Sequence, residues 1–143
     1  MSIITVDTKN STLTLDGRTI EDSPEGDVFT IAWGNDITKQ TQGTNGGKVI
    51  KEQINKDDGL LTIRLLKYSA DDAFLQNQIN SATGVVVFDG SLKTNFTRDN
   101  VDGVETITLS GGSLVNRSDL TVNNTDGDDI VEYTILATAI RSL

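Results

Sequence analysis

One junction constrains this chain more than any other: a strand that runs directly into a capped helix between Gly59 and Leu75. Leu61, Ile63 and Leu65 alternate with Thr62 and Arg64. A period of two places the aliphatic side chains on one face and leaves the other for water. Ser69 follows at once, and its hydroxyl is placed to accept from the free amides of a first helical turn. Asp71 and Asp72 fall where the helix dipole favours negative charge. A helix entered this abruptly must fold back onto the sheet that precedes it, so the chain is read as a sheet with a helix packed on it.

The remaining pattern is β-rich. Alternation and turn residues place strands at about 27–33, 47–55, 60–67, 84–89, 92–98, 104–110 and 129–141. Phe29, Ile31 and Trp33 share one face of the first, and Val131, Tyr133, Ile135 and Ala137 share one face of the last. Val85, Val86, Val87 and Phe88 are apolar on both faces and predict a strand that is buried or covered by the helix. The helix is expected over about 70–82, with Phe74, Leu75, Gln78, Ile79 and Ala82 on or near one stripe. Asp16-Gly17 between β-type runs predicts a tight hairpin, and the one proline, Pro24, marks a turn into the first long strand. Ser110 to Ser113 reads equally as a hairpin turn or a bulge. The fold class is therefore mainly β: a β-sandwich or barrel-like subunit with one short α-helix on the sheet. Residues 1–143 read as a single domain whose residues 1–10 form an extended N-terminal arm, free until a partner arrives.

Composition narrows the chemistry. The chain has no cysteine and no histidine, which removes thiolate chemistry, disulfides and the usual general base near neutral pH. Hydrophobic residues make up only 36 %, a lean core that suits a thin β-sandwich or a subunit completed by neighbours. The net charge of −9 is the wrong sign for gripping nucleic-acid phosphates. No apolar run is long enough for a membrane helix, Met1 to Asp7 lacks a signal-peptide pattern, and the absence of cysteine fits assembly in a reducing cytoplasm.

Three motifs invite and fail catalytic or metal readings. Asn123 to Asp129 resembles a calcium loop in composition, but strands flank it and the twelfth position falls within the last strand; an Asx-rich turn explains it. The pairs Asp57-Asp58, Asp71-Asp72 and Asp128-Asp129 cannot converge across a cleft as glycosidase carboxylates do. Thr41 to Gly47 is glycine-rich but lacks the Lys-Ser/Thr ending of a phosphate loop, and Gly46-Gly47 predicts a mobile loop instead. No catalytic residue, metal ligand or cofactor site emerges, and no enzyme activity is expected. Lys48, Lys51 and Lys56 with Arg64 form an expected small basic patch that would pair with acidic loops of a neighbour.

The order strand, glycine excursion, strand, strand, capped turn and short helix resembles the tail-tube proteins of tailed bacteriophages. It is similar, more distantly, to the inner-tube protein of type VI secretion systems. The resemblance covers residues 25–90 best. It implies self-assembly into stacked hexameric rings, with partners among sheath, tape-measure and baseplate proteins, in a virion tail built in the bacterial host cytoplasm. Genome DNA would pass through an acidic channel without sequence-specific binding. The polar strand faces around Thr30, Ala32, Thr62, Arg64, Thr106 and Thr108 become lumen candidates, and the helix is expected outside the barrel. The segment 36–47, with Asp36, Lys39, Gln40, Thr41, Gly43, Asn45, Gly46, Gly47 and the following Lys48, becomes the expected ring-to-ring contact loop. Ile3, Ile4 and Val6 of the arm are further contact candidates. A baseplate, fibre or other β-sandwich binding module of a phage-like particle is the alternative reading.

Overall fold

In the computed structural model, which describes residues 2–6, 11–81, 87–122, 124, 127 and 129–143, the central junction forms as its sequence dictates. Strand β7 (Asp58–Leu66) buries Leu61, Ile63 and Leu65 and turns the alternate residues outward. Tyr68 then takes a left-handed conformation, φ +68°, and reverses the chain into α1 (Ala70–Ile79). The Ser69 hydroxyl accepts from Asp72 N–H at 3.2 Å, capping the first turn. The helix is shorter than the expected 70–82, since Asn80 closes it, and Ala82 lies outside the described residues.

Among the described residues nine further strands surround this unit: β1 (Ile4–Val6), β2 (Thr12–Leu15), β3 (Arg18–Ile20), β4 (Phe29–Trp33), β5 (Thr38–Gln42), β6 (Lys48–Glu52), β8 (Val87–Arg98), β9 (Val101–Arg117) and β10 (Ile130–Ser142). All pairings are antiparallel. The main sheet runs β3-β2-β8-β9-β10-β7-β4, with β1 added to the far end of β8, while β5 and β6 pair only with each other. One apolar cluster lines the inner face, joining Leu13 and Leu15 of β2 to Leu61, Leu109, Tyr133 and Ile135, and Leu75 of α1 closes over it. The fold is mainly β with one helix on the sheet, as the alternation requires.

Several boundaries differ from the expectation. The strands anticipated at 84–89 and 92–98 are one strand, β8, interrupted by a register shift between Phe88 and Gly90. Val87 is exposed while Phe88 is buried, so this strand is not covered on both faces; Val85 and Val86 lie outside the described residues. The expected strand at 104–110 is the middle of a 17-residue strand, β9. Asp99 and Asn100, with φ +50° and +64°, make the tight turn into it, because short Asx side chains tolerate left-handed backbone. Ser110 to Ser113 is a bulge: a Cβ on Gly112 would meet Ile135 Cγ2 at 3.0 Å and Phe88 O at 3.1 Å. The Asp16-Gly17 hairpin forms as expected, with Leu13 opposite Ile20 and both turn residues at positive φ.

Candidate assembly surface

The segment expected as a loop over 36–47 is instead half of a β-hairpin that leaves the main sheet. Thr38–Gln42 pairs with Lys48–Glu52, and Gly43 N–H donates to Gly47 O at 2.7 Å across the turn, with Gly46 at φ +84°. Backbone bonds from Gly43 and Gly46 therefore close a turn where a mobile loop was expected from Gly46-Gly47. Every residue of both strands is exposed. A two-stranded ribbon with no packed face has marginal stability alone. Ile37, Val49 and Ile50 stand out of it into solvent. Asp36, Lys39, Gln40, Thr41, Gly43, Asn45, Gly46, Gly47 and Lys48 thus occupy one projecting element.

The predicted basic patch is not one surface. Arg64 lies on the main sheet, 3.5 Å from Glu132 Oε1, with an Nη donating to Asp27 O at 3.0 Å. Lys56 is held by Glu52 at 2.6 Å. Lys39, Lys48 and Lys51 remain on the hairpin and enter no ion pair among the described residues; Lys39 and Lys51 sit directly opposite one another.

All six residues expected on a polar face do share one. Thr30 pairs with Thr62 and Thr62 with Thr134, a hydroxyl row across three strands. Ala32, Leu60 and Leu136 form the next row. Arg64 faces Glu132, while Thr106 and Thr108 face Ser142 and Ile140. This face is turned away from the core and from α1, whose Leu75 is buried on the other side. Its strand charges are few among the described residues: Arg64 and Lys93 against Asp58, Asp89, Asp102 and Glu132. The acidic excess that motivated an acidic lining sits on turns and loops, because the strand positions here are filled by Thr and Ser.

The arm is not free. Ile4, Thr5 and Val6 pair with Arg98, Thr97 and Phe96 of β8, and Asp99 clamps Ile3 through two 2.9 Å bonds. The side chains of Ile3, Ile4 and Val6 are nonetheless exposed. Residues 7–10 lie outside the described set.

Sequence reading missed the two ends of the sheet. Among the described residues, terminal strands β3 and β4 each have one neighbour, so each presents an unpaired edge. A cleft of about 840 Å³ separates them, lined by Thr19 and Ile20 on one side and Val28, Phe29, Ile31 and Trp33 on the other. Trp33 Nε1 donates to Ala139 O at 3.0 Å, which fixes the indole at the cleft wall. Glu21 and Asp27 stand in its lining and enter no ion pair among the described residues; Glu105 there is engaged by Arg141 at 2.7 Å.

The paired carboxylates are structural in this arrangement. Asp71 is buried and accepts from Arg18 Nε at 3.0 Å and from the backbone N–H groups of Glu21 and Asp22 at 2.7 and 2.9 Å. Burial opposes its charge, but these amides and the guanidinium outweigh burial and hold its pKa below the ordinary carboxylate range. Asp72 accepts from Tyr133 OH at 2.6 Å and from Tyr68 N–H at 3.0 Å. The two therefore tie α1 to the β3 exit and to β10 and face no common cleft. The acidic turn near the C-terminus falls largely on residues 123, 125, 126 and 128, outside the described set. Among the described residues no group of three or more His, Cys, Asp or Glu could hold a metal, and no helix is long and apolar enough to cross a membrane.

No family model matches the sequence, and no curated protein matches it. Solved structures do. The fold is similar to a chain of the PVC sheath–tube complex of an extracellular contractile injection system in its extended state. There the TM-score is 0.68 at 14% identity, covering 96% of this chain and 91% of that one. It is similar to the tube-terminating cap of the anti-feeding prophage (TM-score 0.66, 12% identity, 96% and 91% covered). A PVC sheath/tube terminator structure matches with TM-score 0.61 at 15% identity over 97% of both chains. The fold is tail-tube-like across nearly the whole chain, beyond the 25–90 segment that carried the resemblance.

Proposed function

We propose that this chain is a structural subunit of a contractile, tail-like particle, and that its copies close into rings that stack as a tube. The observation that carries the reading is the pair of unpaired sheet edges together with a hairpin exposed at every strand residue. Both features leave backbone and apolar groups unsatisfied in one copy, and contact with further identical subunits satisfies them. Six subunits per ring is the count the tail-tube resemblance implies. The hairpin, including Asp36 to Lys48, makes the contact from ring to ring, with Ile3, Ile4 and Val6 of the arm contributing beside it.

In this arrangement the Thr30–Thr62–Thr134 face, with Ala32, Arg64, Thr106 and Thr108, lines the bore, and α1 faces outward toward a sheath. Such a wall is hydroxyl-rich with a small excess of carboxylates, and Arg64 is paired with Glu132. It lacks the clustered cations that hold phosphates, so genome DNA or another polymer passes with weak contact. Tape-measure and baseplate proteins are the further partners this role requires. The reading assigns no catalysis to the chain.

Negative-stain microscopy and sedimentation of the concentrated protein test it. Hollow tubes or stacked rings are expected, single rings would identify a terminating cap, and a monomer at every concentration would support an isolated binding module instead.

A further inference from the structure

We propose that the cleft between β3 and β4 receives the β5–β6 hairpin of a second copy of this chain. The proposal rests on the self-assembly reading above and names the contact that drives it. Three independent features fit. The first is shape: the cleft is a gap of about 840 Å³ between two strands whose facing edges lack partners among the described residues. An inserted ribbon would extend the sheet from either edge and cover the half-buried Phe29 and Ile31.

The second is the pattern on the hairpin. Gln53 N–H donates to Ile37 O at 2.9 Å, which continues the ladder and sets Ile37, Lys39, Val49 and Lys51 on one face. That face carries two exposed aliphatic side chains, Ile37 and Val49, with a lysine pair between them. The third is charge. The ribbon's Lys39, Lys48 and Lys51 lack ion-pair partners among the described residues, and so do Glu21 and Asp27 of the cleft. Lys39 opposite Lys51 is a like-charge pair that costs stability in isolation and is relieved when carboxylates arrive. Complementary rims of this kind fix register between partners.

The cysteine-free sequence allows a clean test. Two chains, one carrying Thr19→Cys and the other Val49→Cys, are mixed, assembled and oxidised. Both sites are exposed, so folding is retained. A mixed disulfide dimer in excess of either homodimer is expected. In a second arm, K39E/K51E should raise the critical concentration for assembly about tenfold or more. Co-assembly with E21K/D27K should restore it. The Glu21 side chain is free for this, since only its backbone N–H binds Asp71. Tubes that form without the mixed disulfide, or charge variants that show no mutual rescue, overturn the hairpin-to-cleft contact while leaving the tube reading standing. A wild-type chain that never polymerises overturns both.

Discussion

Replacing Asp71 with asparagine removes one negative charge from the place where helix, turn and sheet are tied together. The carboxylate is 2% exposed and accepts from two backbone amides as well as from Arg18. Asparagine keeps the shape but turns an NH₂ group toward donors, so at least one amide loses its acceptor. A hydrogen bond to a charged group contributes about 1.5–3 kcal/mol. The Arg18 ion pair adds little, because that side chain is 39% exposed and water can replace its partner. The expected loss for Asp71→Asn is about 3 kcal/mol at pH 7, read by urea unfolding of the unassembled subunit. The pH dependence follows from the depressed pKa. Such a carboxylate contributes its full stability above the unfolded value, about 4, and loses it as pH falls through the lower folded value. The gap between wild type and variant should therefore be constant from pH 5 to 8 and narrow below about pH 4. A gap that stays unchanged down to pH 2, or a loss at pH 7 below about 1 kcal/mol, would refute the reasoning.

Two further outcomes follow from the same packing. Tyr133→Phe removes the 2.6 Å bond to Asp72 and should cost about 1.5–2 kcal/mol by urea unfolding near neutral pH. Burial, then the Asp72 hydrogen bond and charge, push the Tyr133 phenol above its ordinary range, so its stabilisation holds below the unfolded value of about 10 and is lost as pH rises beyond it. The wild-type advantage over Tyr133→Phe should shrink above about pH 10, and one that persists unchanged to pH 12 contradicts the assignment. Gly90→Ala drives a methyl into the Thr14 carbonyl, which an added Cβ would overlap, and should cost about 1–3 kcal/mol or more, whereas alanine at the open Gly47 turn position should leave the melting temperature nearly unchanged.

Much of the fold is legible in the residues because burial enforces period two. Leu61, Ile63 and Leu65 could take no other arrangement beside water, and the Ser69 cap and Asp16-Gly17 turn are local chemistry. The shared face of Thr30, Thr62, Arg64 and Thr106 follows from the same alternation. Legibility fails where tertiary contact decides. Thr38–Gln42 is entirely polar, so alternation gives no signal that it pairs with Lys48–Glu52. The length of β9 is hidden by Gly111 and Gly112, which read locally as a turn or a bulge alike and are a bulge because β8 and β10 flank them. The β3–β4 cleft joins residues at 19–20 and 28–33 through the curl of a seven-strand path, and sequence spacing carries no trace of it.

The central claim is that the hairpin and the sheet edges are unsatisfied in one copy and completed by others. Amide hydrogen exchange on the subunit before and after polymerisation measures this directly. Residues 38–52 and the outer amides of β3 and β4 should exchange fast in the free subunit and become protected in the polymer, while β7 and β10 stay protected in both. Protection of the hairpin already complete in the free subunit, or hairpin amides still exchanging fast within a formed polymer, would contradict it.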